Sequence, residues 1–181
     1  MKYFYNPGSS NSRRVEAVIR HLGRTDIEMV LLNHFAGEHR TPEFEAINPN
    51  FKIPALQEDD FTLWESNAMM QYIADGTDLY PDDAKTRADI SRWQFWTSFN
   101  FGPTTAALIF ERAFKARMGF GEPDPALIAA ESQKLHTFST ILNNHLEGRE
   151  YLVGDSLTIA DFAVCAETVS YTHLTLPTND Q

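Results

Sequence analysis

Hydrophobic and polar positions alternate with two different periods along the first part of the chain. Lys2-Tyr3-Phe4-Tyr5 is short and aromatic, and Asn6-Pro7-Gly8 follows it, which predicts a strand closed by a turn. Ser9, Ser10, Asn11 and Ser12 supply helix caps. Val15, Val18, Ile19 and Leu22 then fall at i, i+3, i+4 and i+7, one apolar helix face, with Gly23 suited to its end. Residues 27–32 read as a second strand. A polar loop over residues 33–41 carries His34, His39 and Arg40, and Pro42 is placed to start a short helix over residues 43–47. Two further strands are predicted near residues 55–58 and 62–64. A helix over residues 66–74 follows, with Met69, Met70 and Ile73 as core positions.

Residues 75–83 are polar and turn-rich, which predicts a boundary. Beyond it the strand pattern stops. Residues 84 to about 118 read as one aromatic helix, with Trp93, Phe95, Trp96, Phe99, Phe101, Phe110 and Phe114, kinked or interrupted at Gly102-Pro103. Residues 119–125 form a loop. Residues 126–146 form another helix, with Leu135, Phe138, Ile141 and Leu142 on one side. Thr158 and Asp161 then open a third: the Thr158 side chain is placed to take the Asp161 N–H, and the Asp161 carboxylate to take the Thr158 N–H. Leu157 and Phe162 flank that start as a staple. Cys165, on this helix, is expected to be a buried, inert small hydrophobe. The division is 1–76 for an α/β domain, 77–84 for a linker, 85–168 for an all-helical domain and 169–181 for a tail.

Composition narrows the function classes. The 181 residues carry 15 Lys and Arg against 25 Asp and Glu, a net charge of −10. This argues against a nucleic-acid or anionic-membrane partner, which requires clustered cations. No apolar run reaches bilayer length, and the N-terminus has no signal-peptide pattern. With Cys165 the only cysteine, no internal disulfide can form, and a cytoplasmic location is expected. No metal site is expected.

The chemistry concentrates between Asn48 and Ser66. Pro54 stands at a strand entrance, where a missing N–H is tolerated. As an ordinary entry proline it would do nothing more. A cis Ile53-Pro54 bond would instead leave the Ile53 N–H and C=O facing outward, free to pair with an extended peptide. Glu65-Ser66 opens a helix, whose unpaired N–H groups and partial positive charge suit a carboxylate. Peptide-backbone capture, carboxylate capture and an acid for an ammonium lie close together.

Asn48-Pro49, Ile53-Pro54, Glu65-Ser66-Asn67-Ala68 and Leu157-Thr158-Ile159-Ala160-Asp161-Phe162 together resemble the glutathione S-transferase family, in a bacterial, serine-using form close to the phi and delta classes. The likeness runs from Met1 to about Glu167. It implies an N-terminal α/β thioredoxin-like domain, matching the element order βαβ, α, ββα, followed by an all-α domain. It also implies an enzyme joining the thiol of glutathione, its co-substrate, to small hydrophobic electrophiles or using it on peroxides, as a homodimer. In this family the turn after the first strand holds the thiol. Ser9 matches the serine-using classes, Ser10 stands where a bacterial class has cysteine, Asn11 is a third candidate, and helix capping is the plain alternative for all three. Tyr3 and Tyr5 are expected to pack. For glutathione the likeness implies Glu65 on the γ-glutamyl ammonium and Ser66 with its helix start on the γ-glutamyl carboxylate. Ile53, ahead of Pro54, meets the cysteinyl backbone, and Lys52, His39 and Arg40 meet the glycyl carboxylate. Relatives commonly carry Gly where Phe51 stands; a large aromatic there is costly to expose and fits docking into a second copy.

A glutathione-binding protein of the same fold without catalysis is the alternative; there Ser9 only caps. A disulfide oxidoreductase would need a cysteine near residues 9–12. The Thr-rich stretch after Glu167, Val169-Ser170-Tyr171-Thr172-His173-Leu174-Thr175-Leu176-Pro177-Thr178, loses the helical period. It resembles an in-frame translation of a sequencing-library adapter, so the native chain is expected to stop near Glu167 with closing helices absent.

Overall fold

Strand β1, Lys2–Tyr5, lies inside a four-stranded sheet of order β2-β1-β3-β4, with β2 at Glu28–Leu31, β3 at Ala55–Glu58 and β4 at Phe61–Trp64. The computed structural model describes residues 1–34 and 36–175. These fall into two units, one from Met1 to Asp83 and one from Ala84 onward. In the first unit β1 and β2 are parallel, joined by helix α1, Ser10–His21, while β3 and β4 are antiparallel neighbours.

Side-chain alternation along β1 sorts the helices onto the two faces. Tyr3 is fully buried, and its hydroxyl donates to the Ser12 carbonyl of α1 at 2.8 Å. Burial pushes its phenol well above the ordinary value, so Tyr3 keeps its proton and packs, as expected. Phe4 points the other way and meets Phe44 of the short helix α2, Pro42–Glu45, edge to face. Helix α3, Ser66–Ala74, packs on α1. Val15, Val18 and Ile19 of α1 and Met69, Met70 and Ile73 of α3 are buried between them and the sheet.

The second unit is helical. Its first rod comprises α4, Ala84–Trp96; a π-helical turn, Thr97–Phe101; α5, Gly102–Ile109; and a second π-helical turn, Phe110–Phe114. The interruption expected at Gly102-Pro103 takes this form. Pro103 has no N–H to continue the α ladder, and the Gly102 N–H instead reaches back to the Thr97 carbonyl. That approach is close enough that a Cβ on Gly102 would lie 2.8 Å from the Thr97 oxygen. Helix α6, Pro125–Leu146, packs on α5 through Leu135, which joins Phe101 and Leu108 in a core flanked by Trp96, Ile128 and Phe138. Ile141, expected on that buried side, is exposed.

Helix α7, Ile159–Thr175, packs on α4 and α5. The Asp161 carboxylate takes the Thr158 N–H at 2.8 Å, as expected, and also the Leu152 N–H at 2.9 Å. The Thr158 hydroxyl departs from expectation: it donates to Asp161 and accepts from the Ala160 N–H, not the Asp161 N–H. Two expectations about α7 are corrected. Cys165 is exposed, because Ala163, Val164, Ala166 and Glu167 occupy the buried arc and residue 165 turns away from it. The helix also does not break after Glu167 but continues to Thr175. β-branched residues weaken a helix only by tenths of a kcal/mol, roughly, and the first helix-breaking residue in the sequence is Pro177. Residues 176–181 of the proposed tail lie outside the described residues. No described helix is long and apolar enough to cross a membrane.

Candidate active site

Strand register gathers the sequence candidates along one edge of the sheet. Phe4 pairs with Ala55, and Ala55 with Trp64. The turn after β1, the Ile53-Pro54 step before β3 and the Glu65-Ser66 step after β4 therefore leave adjacent rungs on the same side. Tyr5 pairs in parallel with Leu31, so the loop carrying His39 and Arg40 leaves there too. From β1 to β4 is two strand spacings, about 10 Å, close to the span of an extended tripeptide at about 3.3 Å per residue.

The turn after β1 is built by Asn6. Its Oδ1 accepts the Gly8 N–H at 2.9 Å, and its Nδ2 donates to the Leu32 carbonyl at 2.8 Å, tying the turn to the end of β2. Ser9 is the N-cap of α1. Its Oγ accepts the Ser12 N–H at 3.3 Å, and its own N–H donates to the Asn6 carbonyl. The hydroxyl proton of Ser9 is not spent by this bond, so capping and donation to a ligand are compatible. Ser10 is the first residue of α1 and half-buried. Arg13 folds back to the Pro7 carbonyl at 2.9 Å. Arg14, only 2% exposed, donates to Asn67 Oδ1 at 3.3 Å.

The Ile53-Pro54 bond is cis, and nothing among the described residues bonds the Ile53 backbone. The loop before it is held by Asn48, which is 2% exposed. Its Nδ2 donates to the Lys52 carbonyl at 2.7 Å, and its Oδ1 accepts from Asn50. Phe51 has φ 52°, in the left-handed region glycine enters freely. The Lys52 side chain is exposed.

Glu65 precedes α3 with φ 75° and ψ 111°, and its own side chain makes no cap bond to the helix. A non-glycine residue held at positive φ marks backbone that the surrounding fold dictates. The partial positive charge of the α3 start thus lies beside the exposed Glu65 carboxylate. Ser66 is 7% exposed and its Oγ donates to Asn11 Oδ1 at 3.2 Å.

Arg40 is exposed, whereas His39 is 2% exposed and stacked on His34 at 4.3 Å. Neither ring nitrogen of His39 has a partner among the described residues. Burial lowers its pKa below the ordinary histidine value, and His34 and Arg40 lower it further. No group of three or more metal-ligating side chains occurs among the described residues.

The register thus unites Ser9, Ile53, Glu65 and Ser66 at one sheet edge. The structural contributions of Asn6 and Asn48, and the cross-links Asn11–Ser66 and Arg14–Asn67, were not anticipated. Asn6 carried a local signal, an Asn-Pro-Gly turn; the others are long-range contacts that periodicity does not encode.

A thioredoxin-like α/β unit followed by a helical unit, with a peptide-sized polar edge on the first, defines the class. The family follows from comparison with known proteins. Residues 1–75 match the glutathione S-transferase N-terminal domain, and residues 122–180 the glutathione S-transferase C-terminal domain. Glutathione S-transferase 3 of Zea mays is 35% identical over 166 residues, covering 89% of this chain and 73% of that protein. The crystal structure of glutathione transferase F7 from Populus trichocarpa superposes with a TM-score of 0.83 at 32% identity, covering 95% of this chain and 83% of that one. That of glutathione transferase URE2P8 from Phanerochaete chrysosporium, solved with oxidized glutathione, gives 0.83 at 27% identity, over 96% of this chain and 79% of that one. The chain belongs to the glutathione S-transferase family.

Proposed function

We propose that the protein is a glutathione transferase that binds glutathione along the edge formed by the β1 turn, the Ile53-Pro54 step and the start of α3. The convergence of these segments on adjacent rungs carries this reading. Glu65 pairs with the γ-glutamyl ammonium. The N-terminus of α3, with Ser66, takes the γ-glutamyl carboxylate. Ile53 pairs its backbone with the cysteinyl unit as one strand residue pairs with another. The exposed Arg40 and Lys52 face the glycyl carboxylate, with His39 behind Arg40 in the same loop.

Ser9 donates its uncommitted hydroxyl proton to the sulfur anion. A hydrogen bond to the charged form favours that form and lowers the thiol pKa from about 8.5. The thiolate is the nucleophile. With an aryl halide the sulfur–carbon bond forms as the carbon–halogen bond breaks, halide leaves, and the thiol proton passes to solvent. With a hydroperoxide, two glutathione molecules become one disulfide, and the peroxide becomes alcohol and water. Small hydrophobic electrophiles are the proposed substrate class.

The cap bond at Ser9 favours a second reading, a glutathione-binding protein in which Ser9 only caps. Turnover with a panel of aryl halides and hydroperoxides separates the two. The proposal expects glutathione-dependent product formation above the uncatalysed rate; binding of glutathione without turnover of any panel member rejects catalysis.

A further inference from the structure

The direction of the hydrogen bond between α1 and α3 assigns a role to Asn11. Ser66 Oγ lies 3.2 Å from Asn11 Oδ1, a carbonyl oxygen that can only accept. In this arrangement the single hydroxyl proton of Ser66 points to Asn11, and turning it to another acceptor breaks that bond. A carboxylate arriving at the start of α3 needs donors, and in this arrangement Ser66 offers it only lone pairs. The backbone around Ser66 is held in place. Glu65 is held at φ 75°, Arg14 fastens the adjoining Asn67 to α1, and Ser66 itself is 7% exposed. The side-chain amide of Asn11 can turn, because Asn11 is exposed and its oxygen and nitrogen ends have nearly the same shape.

We propose that Asn11 is a positioning residue for the γ-glutamyl carboxylate. On binding its amide rotates by half a turn. Nδ2 then donates to Ser66 Oγ, and the Ser66 proton is released toward the carboxylate. Asn suits this task because it is both donor and acceptor on one short side chain. Aspartate at the same place would accept the Ser66 proton permanently. This inference rests on the glutathione-binding reading above.

The test is calorimetric binding of glutathione, and of its analogue lacking the γ-glutamyl α-carboxylate, to five proteins: wild type, Asn11→Asp, Asn11→Ala, Ser66→Ala and Asn11→Asp/Ser66→Ala. Aspartate in the first turn of α1 suits the helix dipole, so Asn11→Asp keeps the fold, which a thermal melt verifies. Asn11→Asp should weaken glutathione on the order of tenfold at pH 7, from loss of a hydrogen bond to a charged group. Asn11→Ala, which leaves the Ser66 proton free, should weaken it less. Neither should alter binding of the analogue. In the Ser66→Ala background the aspartate penalty should vanish, because it acts through the hydroxyl. If that penalty persists undiminished, the effect is plain charge repulsion and the proposal fails. It fails equally if Asn11→Asp matches wild type, or if both ligands lose affinity together. Absence of glutathione binding by the wild-type protein would instead overturn the underlying functional reading, and this inference with it.

Discussion

Ser9 Oγ accepts the Ser12 N–H, and that bond leaves its proton for another acceptor. Ser9→Ala should slow conjugation about ten- to a hundredfold at neutral pH, the loss of one hydrogen bond to a charged atom. The defect should shrink as pH passes about 8.5, where solvent ionises the thiol unaided. Rate profiles from pH 6 to 9 for Ser9→Ala and Ser10→Ala check this; a pH-dependent defect in Ser10→Ala alone moves the role to Ser10. His39 gives a second expectation at this scale. Its folded pKa lies below the ordinary value, so between the two values the unfolded chain binds more protons than the folded one. Stability is then full above about pH 6.5 and falls as pH drops through that value toward the lowered one. Urea melts at pH 5, 6, 7 and 8 should show this fall, and His39→Gln should flatten it. An identical slope in the variant would rule out His39 as its source.

Among the elements, the start of α7 depends most on a single side chain. Asp161 takes the Thr158 N–H and hydroxyl on one oxygen and the Leu152 N–H on the other, so one carboxylate both caps the helix and fixes the chain ahead of it. Asp161→Ala should cost about 2 kcal/mol and lower the melting temperature of the helical unit by on the order of 10 °C. Asp161→Asn keeps one acceptor oxygen and should recover part of the loss. Differential scanning calorimetry of the two variants measures both; equal melting temperatures for Asp161→Ala and wild type would show the helix start to be held by packing instead. The π-helical turns of the α4–α5 rod belong to this scale as well. Each lets the chain absorb a residue without ending the rod, the first at the Gly102-Pro103 step.

For the whole molecule, exposed aromatic side chains pose the main question. Phe95 and Phe99 are 62% and 75% exposed and stack on one another along α4 and its π-helical turn. On the first unit Phe61 and Tyr72 are exposed and in contact, with Trp64 exposed on the same strand as Phe61. Burying such side chains stabilises by about 25 cal/mol per Å², and a second copy is the partner proposed for them, forming a homodimer. Phe51 itself is half-buried, so these residues support association more directly. Sedimentation at micromolar concentration should give a species of twice the 20.6 kDa chain mass. Phe95→Ser/Phe99→Ser should shift it toward the monomer, whereas a wild-type protein that sediments only as monomer refutes association.

The sequence by itself determined the order and kind of the elements, because the periods of apolar residues are local: the Val15, Val18, Ile19 face of α1 and the Tyr3/Phe4 alternation of β1 need no partner to be read. It also determined the Asp161 reach to Thr158, which spans only neighbouring residues, whereas it left the isomer at Pro54 open, and the folded structure makes that bond cis. Tertiary structure alone decided what lies across the sheet edge. That Ser9, Ile53, Glu65 and Ser66 meet there depends on strand order and register, which are set by packing between residues dozens of positions apart. Burial at single positions was decided the same way. Cys165 is exposed and Ile141 uncovered because of where neighbouring helices pack, and an apolar residue on a helix carries no local sign of which arc will be covered. The Asn11–Ser66 bond joins residues 55 positions apart, a pairing that only the folded geometry brings about.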